Sequence, residues 1–370
     1  MKVLCSIIIA AFFLGCGLSH DITAEKKLLK LKSRSLELGI LTNVGGRIAL
    51  LREAGGPNMM DSDNTLWGIP PPVPPLGALK KEYREYGGTI VWTGPHSRWW
   101  QEQSIHPAKK RSKGKWPWPP DPYLSFDHFR IVTNDGSSVI LAGGVSPVSG
   151  VQLRKEISVG QHVRLRTSAA NGRGTSLTRD LWTATMLGAD ARIFVPVTDH
   201  KSVRFMTRSL RTNIVWDIVG DMLIAGIRPF RTNAFIESDK AFITPREGYA
   251  AVCNGKRIWL ITFTLPPYGS VSPEHGAIEI SAEAKDTRAA SGFMLSRHSA
   301  LTDIPPGGVL SWEEEWHILP YTGAAADAER HGLGEGKAVV GQQIRGNAAL
   351  AMRRLPMREG GDHARYPGAA

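Results

Sequence analysis

Cysteine is nearly absent: Cys5, Cys16 and Cys253 are the only three in 370 residues. Two of them fall in the first sixteen positions, so the body of the chain carries a single thiol. An internal disulfide framework and a cysteine-based zinc site are thereby excluded, and stability has to come from an apolar core. No His-x-x-x-His pair, no calcium-loop run of carboxylates and no phosphate-cradling glycine loop occurs, so neither a metal nor another cofactor is expected. Acidic residues are outnumbered, 34 Asp and Glu against 45 Lys and Arg, for a net charge of +11. Apart from "KKRSKGK" (109–115) the basic excess is scattered. It comes without zinc-finger spacing, a basic helix or an RNA-binding aromatic signature, so nucleic acid is not an expected partner. A basic surface of this kind suits an anionic polysaccharide or membrane headgroups, or is merely solvated.

Long apolar runs are also missing, with one exception. "MKVLCSIIIAAFFLGCG" places Lys2 before an apolar run from Val3 to Leu14, too short for a mature membrane span and suited to a signal-peptide core. Phe13-Leu14-Gly15-Cys16 resembles a bacterial lipobox. That resemblance implies a leader over residues 1–15, a lipid on Cys16 and, with Gly17 following, a lipid anchor in the outer membrane. Plain secretion into the periplasm or medium is the other reading. Residues 16–27 then form a tether.

Helical periodicity is scarce, and strand signals dominate. Runs such as "GGRIALL", "SSVILAGG", "VQLRKEISV", "HVRLRTSAAN", "KRIWLITFTL" and "GAIEISAE" are rich in β-branched and aromatic residues and bounded by Gly, Pro, Asn or Asp. Asp135-Gly136 supplies a hairpin turn. Around thirteen short strands without βαβ alternation predict an all-β fold, a large antiparallel sandwich over 28–320. From about Gly323 the aromatics fade, and 321–370 reads as a disordered or loosely helical tail.

Aromatics are sparse overall, at 8%, yet tryptophan concentrates. "YGGTIVWTGPHSRWW" (86–100) and "WPWPPDPY" (116–123) hold five of the eleven Trp: Trp92, Trp99, Trp100, Trp116 and Trp118. Indole rings on loops form a platform for the CH-rich face of a sugar, or else plug the end of a sandwich. Trp100 and Trp118 lead the ligand-facing candidates. Arg98 can fork to a carboxylated or sulfated sugar, and Arg154 reaches the same cleft. His96 is a candidate proton shuttle or a loop histidine bonded to backbone. Asp121, boxed by prolines, is a candidate base or a turn former. Glu279 alternates with Ile278 and Ile280 and so points away from whatever those two pack on; on a concave face it is the best catalytic carboxylate.

"LGILTNVGGRIALLREAGGPNMM" (38–60) resembles the opening of galactose-mutarotase-type, aldose-epimerase-like proteins, and in particular the DUF4380 family. The likeness continues through "YGGTIVWTGPHSRWW", "WPWPPDP", "SPVSGVQLRKEISV", "LTRDLWTAT", "RIFVPV", "GAIEISAEA" and "IPPGGVLSWEEEWHIL". It spans about residues 30–320 and implies a β-supersandwich. Mutarotases open the sugar ring with two imidazoles and a glutamate, and Glu279 falls near the place of that glutamate. Trp182 stands where the first histidine would fall, among the candidate sugar contacts, and an indole neither takes nor gives a proton at neutral pH. Epimerase-like or lyase-like proton transfer, a glycosidase using Asp121 and Glu279, and a non-catalytic sugar-binding or protein-binding scaffold all remain open.

Overall fold

The computed structural model describes residues 28–69, 71, 84–110, 120–206, 214–227, 239–283, 292–321 and 342–348. The proposed leader, Cys16, the tether, Trp116, Trp118 and most of the tail lie outside the described residues.

Among these residues the chain lays down twenty strands. It starts with β1 (Leu29–Lys32), β2 (Leu36–Leu41), β3 (Arg47–Glu53) and β4 (Thr89–Gly94). A meander follows: β5 (Arg130–Asn134), β6 (Ser138–Val145), β7 (Val151–Val159) and β8 (Val163–Asn171). Next come β9 (Leu177–Gly188), β10 (Arg192–Pro196), β11 (Val203–Met206), β12 (Ile214–Val219) and β13 (Met222–Ile227). The last group is β14 (Lys240–Ile243), β15 (Tyr249–Asn254), β16 (Arg257–Phe263), β17 (Ile278–Glu283), β18 (Gly292–His298), β19 (Thr302–Ile304) and β20 (Val309–Pro320). The first sheet runs β1-β2-β3-β4-β9-β18-β17-β14-β11, with β19 beside β9. The second runs β12-β13-β10-β15-β16-β20-β8-β7-β6-β5. The architecture is an all-β antiparallel sandwich, as the alternation predicts.

Alternation explains how the sheets stack. One set of alternate positions on each strand of the first sheet, including Val91, Leu181, Ile278, Ile280 and Leu295, joins Leu153, Leu165, Val252, Trp259 and Trp316 of the second sheet in one core. The two sheets are also stapled by charge. Arg297 of β18 donates to Glu314 of β20 from Nε (3.2 Å) and Nη2 (3.0 Å), and Trp316 Nε1 donates to the same carboxylate at 2.8 Å.

The Gly45-Gly46 turn has positive φ at both residues, which side chains avoid. Buried Lys155 reaches across to donate to both glycine carbonyls, at 2.8 and 3.0 Å. Burial, with repulsion from Arg47, brings that amine down to about 7. A neutral amine still has the two N–H groups the carbonyls require.

The outer face of the second sheet is partly covered as well. Residues 342–348 form a short helix whose Ile344 and Ala348 pack with Phe194, Tyr249 and Leu260, and Arg345 pairs with Asp221. Cys253 is a buried free thiol, pushed up to about 12 by desolvation. No helix among the described residues is long and apolar enough to cross a membrane.

Candidate acid–base site

The other set of alternate positions on each strand of the first sheet faces away from the main core, and the register aligns these residues in rows. Trp92, Trp182 and His298 form one row; Ala184, Ser296, Glu279, Phe242 and Arg204 form the next. Ser281 and Lys240 pair directly in the row beyond. Loop residues cover this face. His96 and Trp99 arrive after β4, and His275 arrives just before β17. The two covering segments are tied together: Ser97 N–H and Oγ both bond the Glu274 carboxylate, and His96 N–H donates to His275 Nε2 at 3.3 Å.

The partners fix the imidazole tautomers. His275 accepts at Nε2, so its proton is on Nδ1, which donates to Glu279 Oε1 at 2.8 Å. His298 Nδ1 lies 2.7 Å from Asp180 Oδ2, so the proton is held there and the Nε2 lone pair faces Glu279 Oε1 at 3.7 Å. The other carboxylate oxygen, Oε2, lies 2.6 Å from Lys240 Nζ. His298 and Glu279 are wholly inaccessible, both at 0% exposure.

These contacts set the charges. Burial alone would raise Glu279, but the His275 hydrogen bond and the charge of Lys240 hold it well below the usual carboxylate range, so it is ionised. Desolvation keeps His298 below the ordinary imidazole value despite the Asp180 hydrogen bond. His96 falls to about 3 through burial and, to a smaller extent, repulsion from Lys240.

Four buried polar atoms around this carboxylate have no hydrogen-bond partner: His298 Nε2, Trp182 Nε1, Ser281 Oγ and Ser296 Oγ. They comprise one acceptor, one donor and two hydroxyls that serve as either. Buried polar groups are usually paired, so these four keep unused hydrogen-bonding capacity on one sheet face.

A metal fits less well. The donor atoms of His275, Glu279 and His298 lie within 4.8 Å of one another. The two rings, however, stack at 4.3 Å with planes 23° apart. An imidazole lone pair lies in its ring plane, so nearly parallel stacked rings cannot both aim at one ion. Lys240 already supplies the cation that Glu279 needs.

Several sequence candidates fall elsewhere. Trp99 and Trp100 are buried and do not form an open platform: Trp99 Nε1 donates to Thr93 O, and Trp100 packs against His106 and Lys109. Trp182 is wedged between Trp92 (5.2 Å), Trp99 (5.5 Å), His275 (4.9 Å) and His298 (4.8 Å), so it presents its N–H edge, not a face. Asp121 is buried and caps the short helix Pro122–Phe126 through Tyr123 N, while accepting from Ser146 and Ser149; desolvation raises it. Arg98 is exposed and pairs with Glu102. Arg154 lies on β7 of the other sheet and pairs with Glu156. Of the nominated catalytic residues, Glu279 and His96 come together and Asp121 does not join them. Sequence reasoning missed His275, His298, Asp180 and Lys240. The signal for His298 was present: in "GFMLSRH", residues 294, 296 and 298 alternate onto the face that "GAIEIS" gives to Glu279.

Comparison with solved structures agrees with this architecture. A protein of Escherichia coli K12 provisionally called an aldose 1-epimerase superposes with a TM-score of 0.52 at 11% identity, over 79% of this chain and 99% of that one. Slr1438 from Synechocystis sp. PCC 6803 gives 0.50 at 12% identity, over 79% and 95%. A galactose mutarotase-like protein from Lactobacillus casei ATCC 334 gives 0.49 at 11% identity, over 79% and 100%. The fold is thus shared with the Escherichia coli and Synechocystis proteins. No curated protein matches the sequence. Residues 26–319 match the model of a domain of unknown function, DUF4380, and the chain belongs to that family.

Proposed function

We propose that this site carries out acid–base chemistry on a cyclic sugar, opening and reclosing the ring so that the anomers interconvert. The observation that carries this reading is the pair of facing acceptors. His298 Nε2 and ionised Glu279 Oε1 stand 3.7 Å apart, and His298 Nε2 has no hydrogen-bond donor. A sugar hydroxyl placed between them supplies that donor, and its proton passes to His298 Nε2. Asp180 holds the tautomer, and Asp180 and Glu279 together stabilise the imidazolium that forms. Trp182 N–H and the Ser281 and Ser296 hydroxyls are left to hold the remaining oxygens. If Cys16 bears a lipid as its lipobox implies, the reaction takes place in the cell envelope.

Anomer exchange of simple aldoses measured by NMR is the test. Wild-type protein accelerates exchange of at least one sugar, and His298→Gln lowers the rate by about a hundredfold or more, the usual contribution of a general base. Sugar binding without exchange in the wild type would instead favour a sugar-binding scaffold. Neither binding nor exchange would remove the carbohydrate reading altogether.

A further inference from the structure

We propose that Lys240 is the general acid of this site, donating the proton that the ring oxygen takes as the ring opens. The inference rests on the sugar-ring reading above and adds the partner that reading lacks. Ring opening needs two proton transfers, and His298 as base accounts for only one. The other imidazoles are poor donors: His96 is neutral, and the Nδ1 proton of His275 is engaged by Glu279. Lys240, by contrast, is a buried ammonium with three N–H groups, 2.6 Å from Glu279 Oε2.

Charge balance favours this pairing. In the step, the O1–H bond breaks and His298 Nε2 takes the proton. The electron pair left on O1 forms the carbonyl, the C1–O5 pair moves to O5, and O5 takes a proton from Lys240. The positive charge therefore leaves one oxygen of Glu279, at Lys240, and reappears beside the other, at His298. The carboxylate has a cationic neighbour before and after, and the net charge of the buried site does not change. In a low-dielectric chamber this avoids the separation of uncompensated charge that would otherwise raise the barrier. Closure on the opposite face runs the same transfers in reverse and returns each proton to its owner. The charged and titratable groups facing Lys240 are Glu279 on β17, Arg204 on β11, which shares the Phe242 ring with it, His96 from the covering loop, and neighbouring Asp239.

Lys240→Arg separates charge from proton, because a guanidinium keeps the ion pair but does not deprotonate. With the full chain and the aldose that wild type turns over fastest, Lys240→Arg binds the sugar within about threefold of wild type yet loses about a hundredfold in exchange rate. A rate within threefold of wild type overturns the proposal, since charge alone would then suffice. If the bulkier guanidinium abolishes binding, the Lys240→Cys variant alkylated to S-aminoethylcysteine decides, with wild type alkylated identically as control. Its amine is more acidic than that of lysine. Recovered turnover whose alkaline limb moves to lower pH supports the proposal, and an unmoved limb, or no recovery once binding has returned, overturns it. A wild type with no exchange on any aldose fails the sugar-ring reading itself, which is a different result from an active Lys240→Arg.

Discussion

At the scale of single residues, the site is defined by imidazoles held neutral in a closed space. His96 falls from 6.5 to about 3, and His298 is also lowered, in both cases chiefly by burial. A histidine whose folded value is depressed binds fewer protons folded than unfolded. Its stabilisation is complete above its unfolded value and is lost as the pH falls towards the folded one. For His96 that window runs from about 6.5 down to about 3. Glu279, depressed below 4.5, acts in the same direction lower down, where acid removes its ion pairs. Urea unfolding followed from pH 7 to pH 4 is therefore expected to show midpoints that fall with acid, and His96→Gln to flatten the slope near pH 6. Glu279 was legible in the sequence because strict alternation with Ile278 and Ile280 fixes its face. Trp99 and Trp100 were misread for a physical reason. Gly- and Pro-rich surroundings indicate a surface path for the backbone, but the rings turn inward, because Ile90, Trp92 and Ala184 make the far side of the sheet apolar and in need of cover.

At the scale of elements, the glycines of "YGGTIVWTG" explain how β4 can sit so close to its neighbours. Gly88 has φ +68°, and a Cβ there would lie 2.3 Å from Ile48 O. Gly94 is tied to function: a Cβ would fall 2.0 Å from Asp180 Oδ1, the carboxylate that orients His298. Gly94→Ala must push that carboxylate aside. We expect a protein destabilised by about 1–3 kcal/mol, as overpacking usually costs. Its His298 ring NMR signals should show the Nδ1 proton no longer held. An unchanged Nδ1–H resonance would mean that the strand yields instead of the side chain. Strand identity and the Asp135-Gly136 hairpin could be read from period and turn chemistry. Which strands become neighbours could not: β9 pairs with β18 across more than a hundred residues of separation. That is why the Asp180–His298 pair escaped a reading made segment by segment.

At the scale of the molecule, the sandwich is joined through apolar contact and one buried ion pair. Arg297 and Glu314 belong to different sheets and both are buried. Removing one partner leaves an uncompensated charge, which typically costs about 3–5 kcal/mol. Glu314→Ala is therefore expected to lower the thermal midpoint sharply, and the double change Arg297→Met/Glu314→Leu to recover much of the loss. A single change no worse than a surface alanine would show that water reaches the pair. The overall fold was legible because a two-sheet sandwich imposes its alternation on every strand. The chamber was not, since it depends on how two loops fold back over one sheet. Those loops are fastened at Ser97 and Glu274, which lie at the rim while the histidines beneath are sealed. The clasp holds exposed Ser97 and half-buried Glu274, so dissolved salt reaches it before it reaches the histidines beneath.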